Sequence, residues 1–380
     1  MATVAVKPKV LQWALIRSGD PSALEKKFGR LADWLAGRTS PSLKQLEAFA
    51  RASRVPVGFL FLDEPPDEKL PIPDMRTFEG RGVRMPSPDL LDTIYLCQRR
   101  QAWYQEYAEE NGEEPRDFVG SLTLQTPPEE AAARIGSIIG FAASSRRNCP
   151  TWNDARQLFI EKADAAGVLV MVSGVVGSNN RRKLDPEEFR GFALADKLAP
   201  LVFINGADTK AAQMFTLAHE IAHLWLGESA VSNAGLAASA EQNVEMWCNR
   251  VAAEFLVPLA DLKAELQGAR QVLPAVDVLA RTFKVSTLVI LRRLMDAGRI
   301  SRQQFRTAYD AEVTRLVQLR RPSGGNFYLT QPVRLSRRFA RAVVTSTLEG
   351  QTLYRDAFQM LGVKKEQTFR ELGDMLEVVR

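Results

Sequence analysis

The chain holds two histidines, His219 and His223, and both fall inside one stretch, HEIAH, with Glu220 between them. Four residues is about one helical turn, so a helix would point both imidazoles to one side, where two neutral nitrogens can grip one divalent metal. Glu220, next to the pair, is placed to take a proton from water held at that metal. This is the chemistry of a metal-dependent peptidase. The competing reading is a surface helix that happens to carry these side chains. It fits the flanks poorly: FTLA precedes the motif and LWLG follows it, and a solvated helix would not be apolar on every side.

Two imidazoles leave zinc short of the three protein ligands usual in a catalytic site. With no further histidine, the third must be a carboxylate or Cys248. The following helical segment offers Glu241, Glu245 and Glu254. Glu245 is the choice, because it lies about one to two turns into a strongly apolar helix that could pack beside the motif helix. Glu241 is more exposed by context, Glu254 sits near the helix end in AAEFLVP, and Cys248 reads as a small apolar packing residue. Given His219, His223 and Glu245, a fourth position remains for water, whose pKa falls towards neutrality; Glu220 would take that proton and hand it to the leaving amine. Zinc is the expected cofactor, although the same donors accept manganese or iron. A developing oxyanion also needs a donor, and Asn249, Tyr328 and the arginines of the C-terminal tail are all candidates.

The elements that must position these groups follow from the flanking pattern. Residues 8–62 show Leu11, Leu15, Leu24, Phe28, Leu31, Trp34, Leu35, Leu43, Leu46, Phe49 and Ala50 at helical spacings, which predicts a compact all-helical module. Asp20 before Pro21 and Ser40 before Pro41 read as N-caps followed by proline at the first helical position. The proline-rich DEPPDEKLPIPD then marks a linker. A long helix is expected over residues 88–111, a second from Pro128, and a third over 154–166 that ends at Gly167. VLVMVSG, FRGFALAD and PLVFING read as short strands, and the HEIAH helix follows directly. ESAVSNAGLAASA reads as a small-residue loop near the site, and a helix is expected over 240–256. Residues 277–300 read helix, turn, helix, with Ser286 as cap, and further helices are expected over 336–348 and 353–361.

The expected fold class is therefore α+β and mostly helical, a small β-sheet packed on a zincin-like HExxH helix with all-helical modules on either side. The expected division is a helical module over 1–62, linker and long helix over 63–127, the metallopeptidase core over 128–268, a helix-turn-helix-like module over 269–321 and a basic helical tail over 322–380.

Taken together, FTLAHEIAHLWLG, the ExxCN from Glu245 to Asn249, AAEFLVP and the upstream PLVFING resemble the ImmA/IrrE family of metallopeptidases over roughly residues 154–258. The resemblance implies a cytoplasmic bacterial or phage-borne peptidase of transcription regulation and stress response, which makes a restricted cut in a DNA-binding repressor. It implies His219, His223 and Glu245 as metal ligands and Glu220 as base; Asn249, one turn beyond Glu245, is a further candidate to stand behind the ligands. Residues 277–300 are similar to the helix-turn-helix that follows the core in some members. LKQLEAFARASRVPVGFLF after WLAGRTSPS resembles an XRE-type helix-turn-helix. The segment that should read bases, GRLADWLAGR, offers only Arg30, Asp33 and Arg38, so docking or dimerisation is the expected use of this module.

Composition sets the remaining bounds. Apolar and charged fractions are those of an ordinary globular protein, and no segment approaches the ~18 apolar residues of a membrane span. The first residues lack a secretory pattern. Cys97, Cys149 and Cys248 show no CxxC spacing, which argues against a disulfide framework and fits a reducing cytoplasm. The net charge of +5 is unevenly spread: residues 292–341 carry twelve arginines against three acidic residues. Arg292, Arg293, Arg299, Arg337 and Arg338 are the candidates there for contact with nucleic acid or a partner; the plain alternative is a solvated helical face. Thr287 is a further candidate in the same segment. A repressor is the expected protein substrate, with DNA or a toxin nuclease as other candidate partners. A non-enzymatic, antitoxin-like binding role and a DNA-responsive sensor are the alternatives to catalysis.

Overall fold

A computed structural model describes residues 3–67, 69–74, 86–232, 241–267, 271–319 and 335–378. It has the α+β, mostly helical architecture that the sequence predicts, with one small sheet. The chain divides into two compact units, Met1–Pro71 with Arg81–Ile94, and Ile72–Gly80 with Tyr95–Arg380.

The first unit opens with four helices, α1 (Pro8–Arg17), α2 (Pro21–Lys27), α3 (Leu31–Leu35) and α4 (Leu43–Ser53), followed by a 3-10 turn at Val57–Phe61. Leu11, Leu15, Leu24, Leu31, Trp34, Leu46, Phe49 and Ala50 are buried in its core, but Leu43 is 49% exposed. Asp20 caps α2 as expected, accepting from the Ala23 amide. The expected cap at Ser40 is corrected: Ser42 caps α4 instead, in a reciprocal box with Gln45. The Pro41 carbonyl accepts from the Val4 amide at 2.8 Å, which holds that residue in extended pairing outside the helix.

The second unit is built on β1 (Leu169–Ser173), β2 (Gly191–Leu194), β3 (Leu201–Asn205) and β4 (Ala230–Ser232), in the order β1-β3-β2-β4. β1 runs parallel to β3, and β2 runs antiparallel to both β3 and β4. Period-2 alternation sends Val170, Val172, Ala193, Val202 and Ile204 into the main core. On the opposite face Phe192 stacks on Phe203, with ring centroids 5.0 Å apart. α5 (Pro88–Glu110) reaches the sheet through Gln101, whose amide donates to the Leu194 and Ala199 carbonyls.

α6 (Pro128–Ile139), α7 (Ala143–Arg147) and α8 (Trp152–Ala165) precede the sheet, and α9 (Lys210–Leu226) follows β3 and lies against β2 and β3. α9 begins under a Thr209 cap and stops at Gly227, whose φ of 75° lies in the left-handed region that favours glycine. β4 comes out of the stretch expected to be a loop, a correction for Ala230–Ser232; residues 233–240 lie outside the described ones. α10 (Glu241–Leu256) packs against α9 and α6.

α11 (Leu259–Glu265), α12 (Val276–Phe283), α13 (Thr287–Asp296) and α14 (Arg302–Leu319) complete this core; Leu279, Phe283, Ile290, Leu291, Leu294 and Phe305 belong to the same apolar cluster as the sheet and α9. Ser286 caps α13 as expected. α15 (Arg337–Leu348), α16 (Tyr354–Leu361) and α17 (Glu366–Met375) end the chain, and α15 lies against α8. Among the described residues, no helix is long and apolar enough to cross a membrane.

Candidate metal centre

α9 is apolar nearly all round because it is enclosed nearly all round: every residue from Thr216 to Trp225 is buried. His219 and His223, one turn apart, both face α10. There Glu245, 4% exposed, presents one carboxylate oxygen 3.1 Å from His223 Nε2 and the other 3.3 Å from His219 Nε2. The two Nε2 atoms are 3.2 Å apart. One ligand atom from each of the three residues lies within 4.8 Å of the others, close enough for one ion to bind all three, since ligands at roughly 2.0–2.1 Å in tetrahedral geometry stand about 3.3 Å from each other. The three residues expected as ligands thus come together, and their donors could hold a metal ion.

The next residues along α10 prepare the donors. Asn249 Oδ1 lies 3.1 Å from His219 Nδ1; an N–H donated there leaves the Nε2 lone pair free for an ion. Burial alone would drive His219 towards neutrality, but the adjacent Glu245 carboxylate raises its proton affinity above that of an ordinary histidine. Burial likewise opposes ionisation of Glu245, yet the two imidazoles hold its carboxyl well below the usual range. A metal entering this pocket therefore competes with a proton at His219.

The alternative ligands fall elsewhere. Glu254 pairs with Arg293 and accepts from the Leu259 amide, so it fastens the end of α10 to α13. Cys248 is fully buried, and burial together with the nearby Glu245 carboxylate pushes its thiol well above its ordinary pKa, which disfavours the thiolate a metal needs. The Glu241 side chain lies outside the described residues.

Glu220, fully buried, lies on the β2 side of α9. An added Cβ on Gly191 would stand 3.0 Å from Glu220 Oε1 and 2.6 Å from the Thr216 methyl, so the missing side chain at the start of β2 lets the helix and its carboxylate close on the strand. Gly191 was not among the predicted site residues. The signal was present in RGFALAD, since a glycine inside a strand pattern often marks a close approach.

The basic candidates separate by exposure. Arg293 is 4% exposed and bonds Glu254, the Val257 carbonyl and Asp296; Thr287 is buried and donates to Glu312. Both face inward. Arg292 is half-buried beside Asp296, Arg338 bonds Glu113 and Tyr104, and Arg299 and Arg337 are exposed. In the first unit Arg38 pairs with Asp33 at 2.6 Å, so two of the three polar side chains of GRLADWLAGR bind each other. Tyr328 lies outside the described residues.

Residues 163–295, which span β1 through α13, match the family described as an IrrE N-terminal-like domain. Residues 335–375, the last three helices, match a domain of unknown function (DUF8813). No curated protein and no solved structure matches the chain. The first likeness covers His219, Glu220, His223 and Glu245 and supports a metallopeptidase-like core.

Proposed function

We propose that this chain is a metal-dependent, zinc-type endopeptidase of the cytoplasm that makes a restricted cut in a DNA-binding repressor or a similar regulatory protein. The observation that carries the reading is the buried triangle of His219 Nε2, His223 Nε2 and a Glu245 oxygen, with Glu220 on the same helix as the histidines. His219, His223 and Glu245 would hold the ion, which when bound supplies Lewis acidity towards water and a peptide carbonyl. Asn249 keeps the His219 ring turned and in one tautomer. Glu220 takes the water proton and returns it to the leaving amine, the role its position beside the ligands suits. The restricted cut fits a site enclosed by α9, α10 and the sheet. Because Arg38 is paired with Asp33, docking or dimerisation remains the proposed role for the N-terminal helices. Arg292, Arg299 and Arg337 are the basic residues proposed to meet a partner.

The test is direct. The purified chain, loaded with zinc or manganese, should cut the repressor encoded beside it, and Glu220→Gln should bind that repressor without cutting it. Cleavage that persists in Glu220→Gln would exclude the mechanism.

A further inference from the structure

The sheet edge nearest the candidate base is already occupied by the chain itself. β4 is the outermost strand, and its Ser232 pairs with Gly191, the residue packed against Glu220. Val231, opposite Phe192, turns its N–H away from β2 towards the outer edge, where the Pro73 carbonyl accepts it at 3.0 Å. Asp74 forms a parallel bridge with Val231, and Ile72 is 9% exposed. The end of the proline-rich linker is thus anchored on the catalytic sheet.

We infer that the outer edge of β4 is a docking surface for an extended polypeptide, and that residues 72–74 are its resident occupant, a strap that an incoming chain must displace. The class of ligand follows from the bonding. A strand edge offers main-chain donors and acceptors with no side-chain requirement, so it takes an extended peptide by strand addition. Pro71 and Pro73 have no N–H, so the strap can accept from β4 at Pro73 but cannot donate there. A peptide with ordinary residues at the two proline positions could donate where the strap cannot, so the strap competes with fewer main-chain bonds, and the buried Ile72 side chain adds to its hold. Only the identification of the incoming chain as a substrate rests on the peptidase reading; the occupied edge does not.

The test uses the full chain with Glu220→Gln, so that nothing is cut, and fluorescein-labelled unfolded casein as the extended probe. Adding Ile72→Gly should tighten casein binding about tenfold, the scale set by loss of a buried Ile anchor, and should speed hydrogen exchange at the Val231 amide. Ile72→Ala should shift both in the same direction by less, and it decides the matter if circular dichroism shows that the glycine variant does not fold. Equal affinities in parent and variants overturn the inference, as does a Val231 amide that exchanges as fast in the parent. Cutting of casein by the chain with Glu220 intact is scored separately: its failure counts against the peptidase reading, while affinity and exchange still decide the strap.

Discussion

Gly191 and Glu220 approach so closely that a single methyl group at position 191 would stand 3.0 Å from the carboxylate oxygen, 2.8 Å from the Phe203 carbonyl and 2.6 Å from the Thr216 methyl. Two of these three neighbours belong to α9, and the third is backbone of β3. The Glu220 carboxylate can give way, but the Phe203 carbonyl is backbone and Thr216 is a stiff β-branched side chain, so Gly191→Ala displaces the carboxylate and presses α9 off the sheet. We expect a loss of about 1–3 kcal/mol in urea unfolding. Peptide cleavage should fall further than zinc affinity does, since Glu220 is displaced more directly than the ligands. An alanine variant as stable and active as the parent would show that this contact positions nothing.

Asn249 touches the proposed ion only through His219. Asn249→Ala removes the acceptor that holds His219 Nδ1, so zinc affinity should drop by about 10–100-fold, measured by competition with a chromogenic chelator. Asn249→Asp keeps an acceptor and should retain most of the affinity. A ring held by packing alone would leave the alanine variant unchanged.

Both the legible and the illegible parts of this site have local physical reasons. His219, His223 and Glu245 could be read because helical periodicity fixes which side chains share a face, and because a metal limits the useful residue types. β4 could not. Its three residues sit in a run of small side chains with no strand signal of their own, and they pair only because β2 and the Pro73 carbonyl arrive from elsewhere in the chain. The Ser42 cap was hidden for a similar reason, since the extended conformation at Pro41 depends on Val4. Arg292 and Arg293 are neighbours in a basic run, and composition cannot say that the second points inward. α14 is not among the expected helices, since polar residues interrupt its few apolar positions and leave little periodic signal, although Phe305 reaches the core.

The inward arginine makes its own prediction. Arg293→Ala would leave the partly buried Glu254 carboxylate without its charged partner, and unfolding free energy should fall by about 3 kcal/mol. Substituting both partners with apolar residues of similar size should cost much less. If Arg293 served a nucleic acid instead, its removal would spare stability and reduce the salt dependence of binding, so a stable Arg293→Ala protein would refute the structural role.

The junction between α5, α8 and α15 gives the chain a pH response whose sign can be worked out. Glu113 receives bonds from Arg338 at 2.6 Å, Arg116 at 2.8 Å and the Tyr104 hydroxyl at 2.9 Å. Partial burial opposes its ionisation, but the Arg338 and Tyr104 bonds outweigh that and hold its carboxyl below the ordinary glutamate range. A carboxyl depressed in the folded state contributes stability above its unfolded pKa and loses it as pH falls through the folded value. Asp164, which accepts from Ser336 and from the Arg338 amide, works in the opposite sense, because burial raises its carboxyl. Its contribution is present at low pH and is lost as pH rises through the raised value. Melting temperature measured from pH 7 down to pH 3 should therefore fall less steeply in Glu113→Gln than in the parent, and more steeply in Asp164→Asn. Parallel curves for all three proteins would show that this junction does not set the acid response.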